Sequence, residues 1–457
     1  MQNPELRGES FLIIGYGREG RSVREFLARR VPGARIAIAD RNPVPAHELP
    51  EKGVAVFTGE DYLSACSQDF STIIRSPGVS IRDIQPHLLP SAHLTSATNI
   101  FFAECPGKIV GVTGTKGKST TSALTAAILS RGFADVRLVG NIGVPMLNFL
   151  EGATSETIFV VELSSYQLED LRRSPHIAIL LNIVPEHLDY HGGFEAYRNA
   201  KFSIARHQSR QDILICNDSF PALSGNIGVG QATRFIFREG DDSAAFVKVR
   251  SGSVIVEQEL RTEWIANLGE LPLLGPGNLQ NVLAAVTCGC VLGLSPEVIR
   301  AGVLSFKPLE HRLEFVAERG GVRFYNDSLS TIPEALAHAL VALGADVESV
   351  IAGGFDRGVD MGPVGAPLAA SNVRNLILFP STGEKIWQAA IAAAPHRVYK
   401  RVDVQTMDEA VEAAYHLTSP GKICVMSPAA SSFSVFRDYR ERGERFKEAV
   451  MRIASLS

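Results

Sequence analysis

At 457 residues the chain is too long for a single hydrophobic core, and it is 45% hydrophobic and 21% charged with a formal net charge of −4. That near-neutral balance excludes a general nucleic-acid binder, which needs a basic surface, and no apolar run reaches the ~18–20 residues of a membrane span, so no membrane insertion is expected. The opening residues lack a basic stretch followed by an apolar one, and the six cysteines show no paired C-x-x-C spacing, so a reduced, cytoplasmic protein is expected.

In chain order, SFLIIG predicts a strand, REGRSVREFLARRV a helix, ARIAIAD a strand, and FSTIIRSPG another strand ending in a turn. This βαβ pattern demands a parallel sheet. The loop GYGREG joins the first strand and helix, and Asp40 follows Gly20 by 20 residues at the end of the second strand. Taken alone, this complete dinucleotide fingerprint points to an NAD-dependent dehydrogenase. A proline- and glycine-bearing linker, AECPGK (103–108), comes next.

The middle region opens on strand KIVGVT, a glycine-rich loop and helix KSTTSALTAAILSRG, followed by buried strands DVRLVG, TIFVVELS, IAILLNIV and DILICND. FVKVRSGSVIVEQEL alternates around Ser251-Gly252 and predicts an edge hairpin. Cys288 and Cys290 lie in the apolar helix NVLAAVTCGCVLGL and read as core thiols, because two ligands do not close a zinc site. The proline of SFKPLEHRLEF marks a boundary near 308–313, after which strands VRFYND, VESVIAGG, NVRNLILFP, HRVYKR and KICVMSP alternate with helices. The expected architecture is therefore α/β, as three consecutive α/β units without internal repeats.

The strongest chemical signal is the loop Gly111 to Thr120, GVTGTKGKST, between a strand and a helix. Glycines turn backbone amides toward phosphate oxygens, and the helix N-terminus adds its positive dipole end. Gly114, Thr115, Lys116 and Gly117 form the cradle, Lys118 supplies a charge to the β/γ-phosphates, and Ser119 or Thr120 can face Mg²⁺. Val112 stands where the strict pattern has its first glycine, so the loop is a variant. Magnesium takes hard oxygen ligands, and Glu162 ends the strand TIFVVE, while His187 and Asp189 follow another buried strand.

GTKGKST, ELSSYQ, LNIVPEHLDYHG with YRNAK, GNLQN, LEHRLE, NDS and MSPAASSF resemble, in that order, the motifs of the Mur ligases of peptidoglycan synthesis. The resemblance implies three domains: Rossmann-like and UDP-substrate-binding over 1–106, a P-loop ATPase over 107–311, and Rossmann-like and glutamate-binding over 312–457. It implies an ATP-dependent amide ligase that adds D-glutamate to UDP-N-acetylmuramoyl-L-alanine through an acyl phosphate, with L-glutamate as the alternative acceptor. A monomer is expected. Lys118, His187 and Lys201 would be catalytic, two Mg²⁺ would be held by Ser119, Glu162, His187 and Lys201, and Lys201 would carry a carbamate. Asn278, Asn281, Arg312 and Asp327 would complete the ATP site, with His311 and Asn326 beside the last two.

The first loop then becomes a grip on the uridine diphosphate end of the substrate. Gly15, Tyr16, Gly17, Arg18, Asp40, Arg41 and the turn Ser76-Pro77-Gly78 would hold it, with Asn141, Ser164 and Gln167 further along the substrate. The chain departs from the family at Lys116, where asparagine is usual, and at Leu329, where many members carry a lysine near the incoming amino acid. Glutamate would then rest on Thr331, Arg357, Ser427, Ser431, Ser432 and Phe433, with Arg357 as its anchor because a buried dicarboxylate needs a cation. Competing readings fare worse. A dehydrogenase leaves the P-loop unexplained, a folylpolyglutamate-type ligase lacks the first α/β unit, and an inactive binder would have lost Lys118, Glu162 or His187.

Overall fold

The computed structural model describes all residues except 1–2, 46–53, 143, 218–229, 241–244, 259–260, 274, 434 and 454–457. Its contacts divide the chain into two compact units, residues 1–271 with 279–306, and residues 272–278 with 307–457.

In the first unit, strands β1 (Ser10–Ile14), β2 (Arg35–Asp40), β3 (Ala55–Thr58), β4 (Thr72–Arg75) and β5 (His93–Ser96) make a parallel sheet in the order β3-β2-β1-β4-β5. Phe11 to Ile14 are all buried, as a central parallel strand covered on both faces requires. The strand order reverses between β1 and β4, which opens a crevice at their carboxyl ends. The second sheet holds β6 (Lys108–Thr113), β7 (Val136–Gly140), β8 (Ile158–Glu162), β9 (Ile177–Leu180), β10 (Ile213–Asn217), β11 (Thr233–Arg238), β12 (Val247–Arg250), β13 (Ser253–Gln258) and β14 (Arg261–Asn267). Its order is β14-β13-β12-β11-β10-β9-β6-β8-β7, so β6 runs parallel between β8 and β9 and delivers all three strand ends to one place. Ser251 and Gly252 have φ of 49° and 76° and close the expected β12–β13 hairpin, but β14 lies outside it as the true edge.

Both sheets share one hydrophobic cluster, from Phe11, Val23 and Phe101 to Phe159, Val161 and Phe202. A charged staple accompanies it. The buried Arg75 guanidinium, at the end of β4, donates to Asp170 Oδ1 at 2.7 Å and to the Tyr166 carbonyl at 2.9 Å. Without that carboxylate the burial of a full positive charge would be costly.

In the second unit, β15 (Glu314–Arg319) and β16 (Val322–Asn326) form an antiparallel hairpin through Gly320-Gly321, at φ of 56° and 80°. β17 (Val347–Gly354), β18 (Asn375–Ser381), β19 (Lys400–Asp403) and β20 (Ile423–Met426) complete a sheet of order β15-β16-β20-β17-β18-β19, parallel from β16 onward. Period-two alternation feeds two cores. Leu376, Leu378, Ile423 and Val425 face one core, while Ile377, Phe379, Cys424 and Met426 face the other.

The α/β class with three sheets stands as expected from sequence. Strands β3, β5, β11, β14 and β15 were not expected, and HRVYKR contributes its strand only from Lys400 onward. All six cysteines are free, and Cys288 is fully buried in the helix Pro276–Val291.

Candidate active site

The phosphate loop follows β6 and is closed by the helix Lys118–Leu129. Gly117, at φ of 86°, is the residue before that helix, and a side chain there would collide with Oδ1 of Asn281. Asn281 also accepts a 3.1 Å hydrogen bond from the Thr121 hydroxyl, so it braces the loop from behind. Asn278 sits on the first turn of the same helix, Pro276–Val291. Lys118 Nζ turns back on the loop carbonyls of Gly114 and Thr115, at 3.1 and 2.9 Å. Ser119 and Thr120 open the helix behind it. Lys116 is directed elsewhere, to Glu186.

A cavity of about 180 Å³ opens beside Lys118 and is lined also by Asn141, Ser164, Ser165, Tyr166, Glu186, His187, Tyr197 and Lys201. Glu162, at the end of β8, is buried next to it: Oε1 accepts from Asn141 Nδ2 at 3.0 Å, and Oε2 has no hydrogen-bond partner among the described residues. His187 follows β9 in the left-handed region at φ of 56°. Burial lowers its pKa, Glu186 opposes the shift, and Lys118, Lys201 and Lys116 reinforce it, so a neutral imidazole faces the cavity.

Lys201 lies on the helix Phe194–Arg206, one turn after Tyr197, over whose ring its Nζ sits at 4.9 Å. Its Nζ donates to the Gly114 carbonyl at 2.7 Å, and the residue is only 1% exposed. Burial and then the neighbouring Lys118 push its pKa down to about 6, which leaves a neutral amine at physiological pH.

The donor set fits divalent magnesium. The bare oxygen of Glu162 is an orphan in a buried place, and hard carboxylate oxygens are what that ion takes. A neutral imidazole is a competent further ligand, whereas an unmodified lysine amine offers no oxygen to the ion.

At the first sheet, Gly15 turns at φ of 82°, and a side chain on Gly20 would collide with the Gly15 carbonyl. Gly17 is exposed with open space around it, and Arg18 begins the helix Arg18–Arg30. Asp40 accepts from the amides of Tyr16 (2.6 Å) and Asn42 (2.8 Å), so the fingerprint acid holds the loop in shape. Ser76 donates to the Gly15 carbonyl at 2.7 Å and sets the Ser76-Pro77-Gly78 turn across the β1/β4 crevice. Arg41 is exposed, with Glu60 at 3.7 Å. Gln167 accepts from the Ser164 amide at 2.9 Å and donates to Glu19 at 2.8 Å, a capping box that reaches back to the glycine loop.

In the second unit, the motifs LEHRLE and NDS hold each other. His311 Nδ1 is 3.0 Å from Asn326 Nδ2, and Asp327 Oδ1 accepts from the Leu313 amide at 3.2 Å, with His311 and Leu313 both at positive φ. Asp327 also accepts from Ser330 (2.5 Å) and Ser427 (2.8 Å); burial pushes its pKa up to about 6 against these bonds and Arg312. The Ser427 hydroxyl is thus taken up by Asp327 within the core. Arg357 is exposed and donates to the Thr331 carbonyl at 3.2 Å. Ser431 accepts from the Phe355 amide at 2.8 Å, Ser432 is buried beside it, and Phe433 is exposed.

Several residues were not singled out from sequence. Tyr166 and Glu186 sit inside ELSSYQ and LNIVPEHLDYHG, and the spacing of Tyr197 four residues before Lys201 on one helix face is a usable signal. Arg442 had no such signal: it is buried and donates to Ser328 Oγ (3.0 Å), the Ser328 carbonyl (2.8 Å) and the Ala430 carbonyl (3.0 Å), tying NDS to SPAASS.

A phosphate loop on β6, an acid at the end of β8 and a histidine in the segment after β9 define a P-loop nucleotide-binding α/β protein. Family models narrow the class. The Mur ligase middle domain matches residues 112–289, and the Mur ligase glutamate ligase domain matches 311–430. The chain belongs to the Mur ligase family. It is 36% identical to the UDP-N-acetylmuramoylalanine–D-glutamate ligase of Acidobacterium capsulatum, over 98% of this chain and 97% of that one. It is 35% identical to the ligase of the same name from Symbiobacterium thermophilum, over 97% and 98%. In fold it is similar to the MurF ligase of Thermotoga maritima in complex with ADP, at a TM-score of 0.57 and 18% identity over 100% of this chain and 97% of that one. It is also similar to the UDP-N-acetylmuramate–alanine ligase MurC of Thermotoga maritima, at a TM-score of 0.58 and 16% identity over 98% and 100%. Among the described residues no helix is long and apolar enough to cross a membrane.

Proposed function

We propose that this protein joins D-glutamate to UDP-N-acetylmuramoyl-L-alanine at the expense of ATP, a step of peptidoglycan precursor synthesis. The observation that carries the reading is the meeting of Lys118, His187 and Lys201 around one cavity, with Glu162 bonded to the lining residue Asn141, in a chain alike over nearly its whole length to ligases of that name. The residues divide as UDP-substrate-binding over 1–106, ATP-binding over 107–311 and glutamate-binding over 312–457. The protein acts as a cytoplasmic monomer.

The substrate's terminal carboxylate oxygen attacks the γ-phosphorus of ATP, the bond to the β-phosphate oxygen breaks, and ADP leaves an acyl phosphate behind. The amine of glutamate then attacks the acyl carbon, phosphate departs with the bonding pair, and the ammonium-derived proton goes to solvent. No protein nucleophile is needed, so the chain contributes position and charge. Lys118 and the amides of the loop neutralise the phosphoryl oxygens. Ser119, Glu162, His187 and a carbamylated Lys201 would hold two Mg²⁺, which when bound neutralise phosphate charge and polarise the transferring group.

The carbamate has a physical basis here. A neutral amine adds CO₂ and loses a proton, giving an oxygen anion, and Lys201 is held neutral by its burial and by Lys118. Asn278, Asn281, Arg312 and Asp327 are the further residues assigned to ATP binding. Thr331, Arg357, Ser427, Ser431, Ser432 and Phe433 receive the glutamate, Ser427 also donating to Asp327.

A second reading takes L-glutamate as the acceptor. It is favoured by one residue, the half-buried Leu329, which leaves the incoming carboxylate without the lysine usual in the family. Mass spectrometry of the product decides the chemistry: incubation with ATP, Mg²⁺ and both substrates should add one glutamate residue to UDP-N-acetylmuramoyl-L-alanine. Absence of that product with either enantiomer would refute the ligase reading.

A further inference from the structure

The phosphate loop departs from the usual Mur pattern at position 116, and the lysine there has a specific partner. Lys116 Nζ lies 2.6 Å from Glu186 Oε1. Glu186 immediately precedes His187 and lines the cavity with it. Thr115, one residue earlier in the loop, ties down the same segment. Its amide donates to the Asn182 carbonyl at 2.8 Å, and its hydroxyl donates to the Val184 carbonyl at 3.1 Å and accepts from the Val184 amide at 3.0 Å. Thr115 and Lys116 therefore zip residues 182–186 onto the phosphate loop.

The far end of the segment is anchored to the first sheet's binding turn. The Tyr190 hydroxyl donates to the Pro77 carbonyl at 3.0 Å, and the Arg82 guanidinium donates to the carbonyls of Asp189, at 3.2 Å, and Tyr190. His187 lies between the two anchors at φ of 56°, a backbone conformation that a non-glycine residue keeps only where its surroundings over-determine it. An asparagine at position 116 is shorter and uncharged, and could not span to that carboxylate as an ion pair.

We propose that Lys116 is a positioning residue whose ion pair with Glu186 latches the segment 182–192, and with it His187, to the phosphate loop. The substrate turn at Pro77 and the phosphate loop are then held in register by one clamp. Lys116 acts on His187 through Glu186 and is not a ligand of the phosphates. This rests on the reading of the cavity as an ATP-dependent ligase site.

The test compares Lys116→Asn, Glu186→Gln, their double variant and Lys116→Arg in the full-length protein. Hydrogen–deuterium exchange over residues 182–192 without ligands should speed up about twofold to fivefold in each of the first two, the scale of a partly exposed ion pair. The double variant should exchange no faster than the quicker single one, and Lys116→Arg should restore the slow rate. In turnover, kcat should fall by a similar factor in both single variants, while KM for ATP moves by about twofold at most. A raised KM for ATP in Lys116→Asn with Glu186→Gln unaffected would make Lys116 a phosphate ligand and overturn the latch. Unchanged exchange in both single variants, or additive effects in the double one, would overturn it too. The exchange measurement needs no turnover, so failure of the latch is distinguishable from failure of the ligase reading.

Discussion

Asn141 donates a 3.0 Å hydrogen bond to one oxygen of Glu162 and leaves the other oxygen of that buried carboxylate without a partner among the described residues. Desolvating a carboxylate oxygen without a donor or a cation is expensive, so the arrangement is built to receive one. Glu162→Gln should retain the fold and lower kcat by about 10²–10³-fold. Calorimetry should also show that Mg²⁺ no longer strengthens nucleotide binding. Wild-type magnesium dependence in that variant would show that the oxygen serves another purpose.

Lys201 gives a pH signature of stability. Burial, then Lys118, lowers its pKa from an ordinary 10.5 to about 6, so the folded protein releases a proton that the unfolded chain keeps. The contribution is fully present above the unfolded value and is lost as pH falls through the folded one. Without added CO₂, Lys201→Met should therefore be more stable than wild type by about 1–3 kcal/mol near pH 7. The gap should narrow as pH rises toward 10. Urea titrations across pH 6–10 measure it, and a gap that ignores pH would contradict the neutral-amine assignment.

Asp327 carries the opposite slope. Its pKa is raised by burial from 3.8 to about 6, so its contribution is fully present below the lower value and is lost as pH rises through the upper one. Ser427→Ala removes one of the donors that ease the charged form. It should cost about 1–2 kcal/mol at pH 8 and less at pH 5, where the acid is protonated. Equal losses at both pH values in denaturant titrations would mean that the hydroxyl does not serve the Asp327 charge.

Gly117 tests the brace behind the phosphate loop. At φ of 86°, with Asn281 Oδ1 in the way of any side chain, Gly117→Ala should cost about 1–3 kcal/mol and weaken nucleotide binding tenfold or more. Adding Asn281→Ala should relieve the clash without restoring affinity, because the backbone strain persists. Full recovery in the double variant, read by fluorescent-nucleotide titration, would assign the whole effect to the clash.

The chemistry written in short local patterns was legible in the sequence. GTKGKST lies between an apolar strand and a helix, and it forms the loop its glycines and lysine imply. The position of Glu162 at a strand end and of His187 in the segment after a strand followed from the buried runs before them; the cavity unites His187 with Lys201, and Asn141 links Glu162 to its lining. What was hidden depends on long-range packing. Arg75 reads as part of a strand in TIIR, yet it is a buried charge because Asp170, 95 residues away, neutralises it. Asp40 has the spacing of a ribose ligand, and its carboxylate also accepts from the amides of Tyr16 and Asn42. Ser427 and Gln167 also hold protein partners that spacing could not show, Asp327 for the first and Ser164 with Glu19 for the second. Short strands such as β3 and β5, of four residues each, are too brief to show a period.

The most direct test of the ligase assignment is phosphate release measured with each component omitted in turn, and with D- and L-glutamate in parallel. The expected result is release only when UDP-N-acetylmuramoyl-L-alanine, ATP, Mg²⁺ and glutamate are all present, with D-glutamate the faster acceptor and Lys118→Ala inactive. Release that ignores glutamate and the uridine nucleotide, or none with either enantiomer, would contradict it.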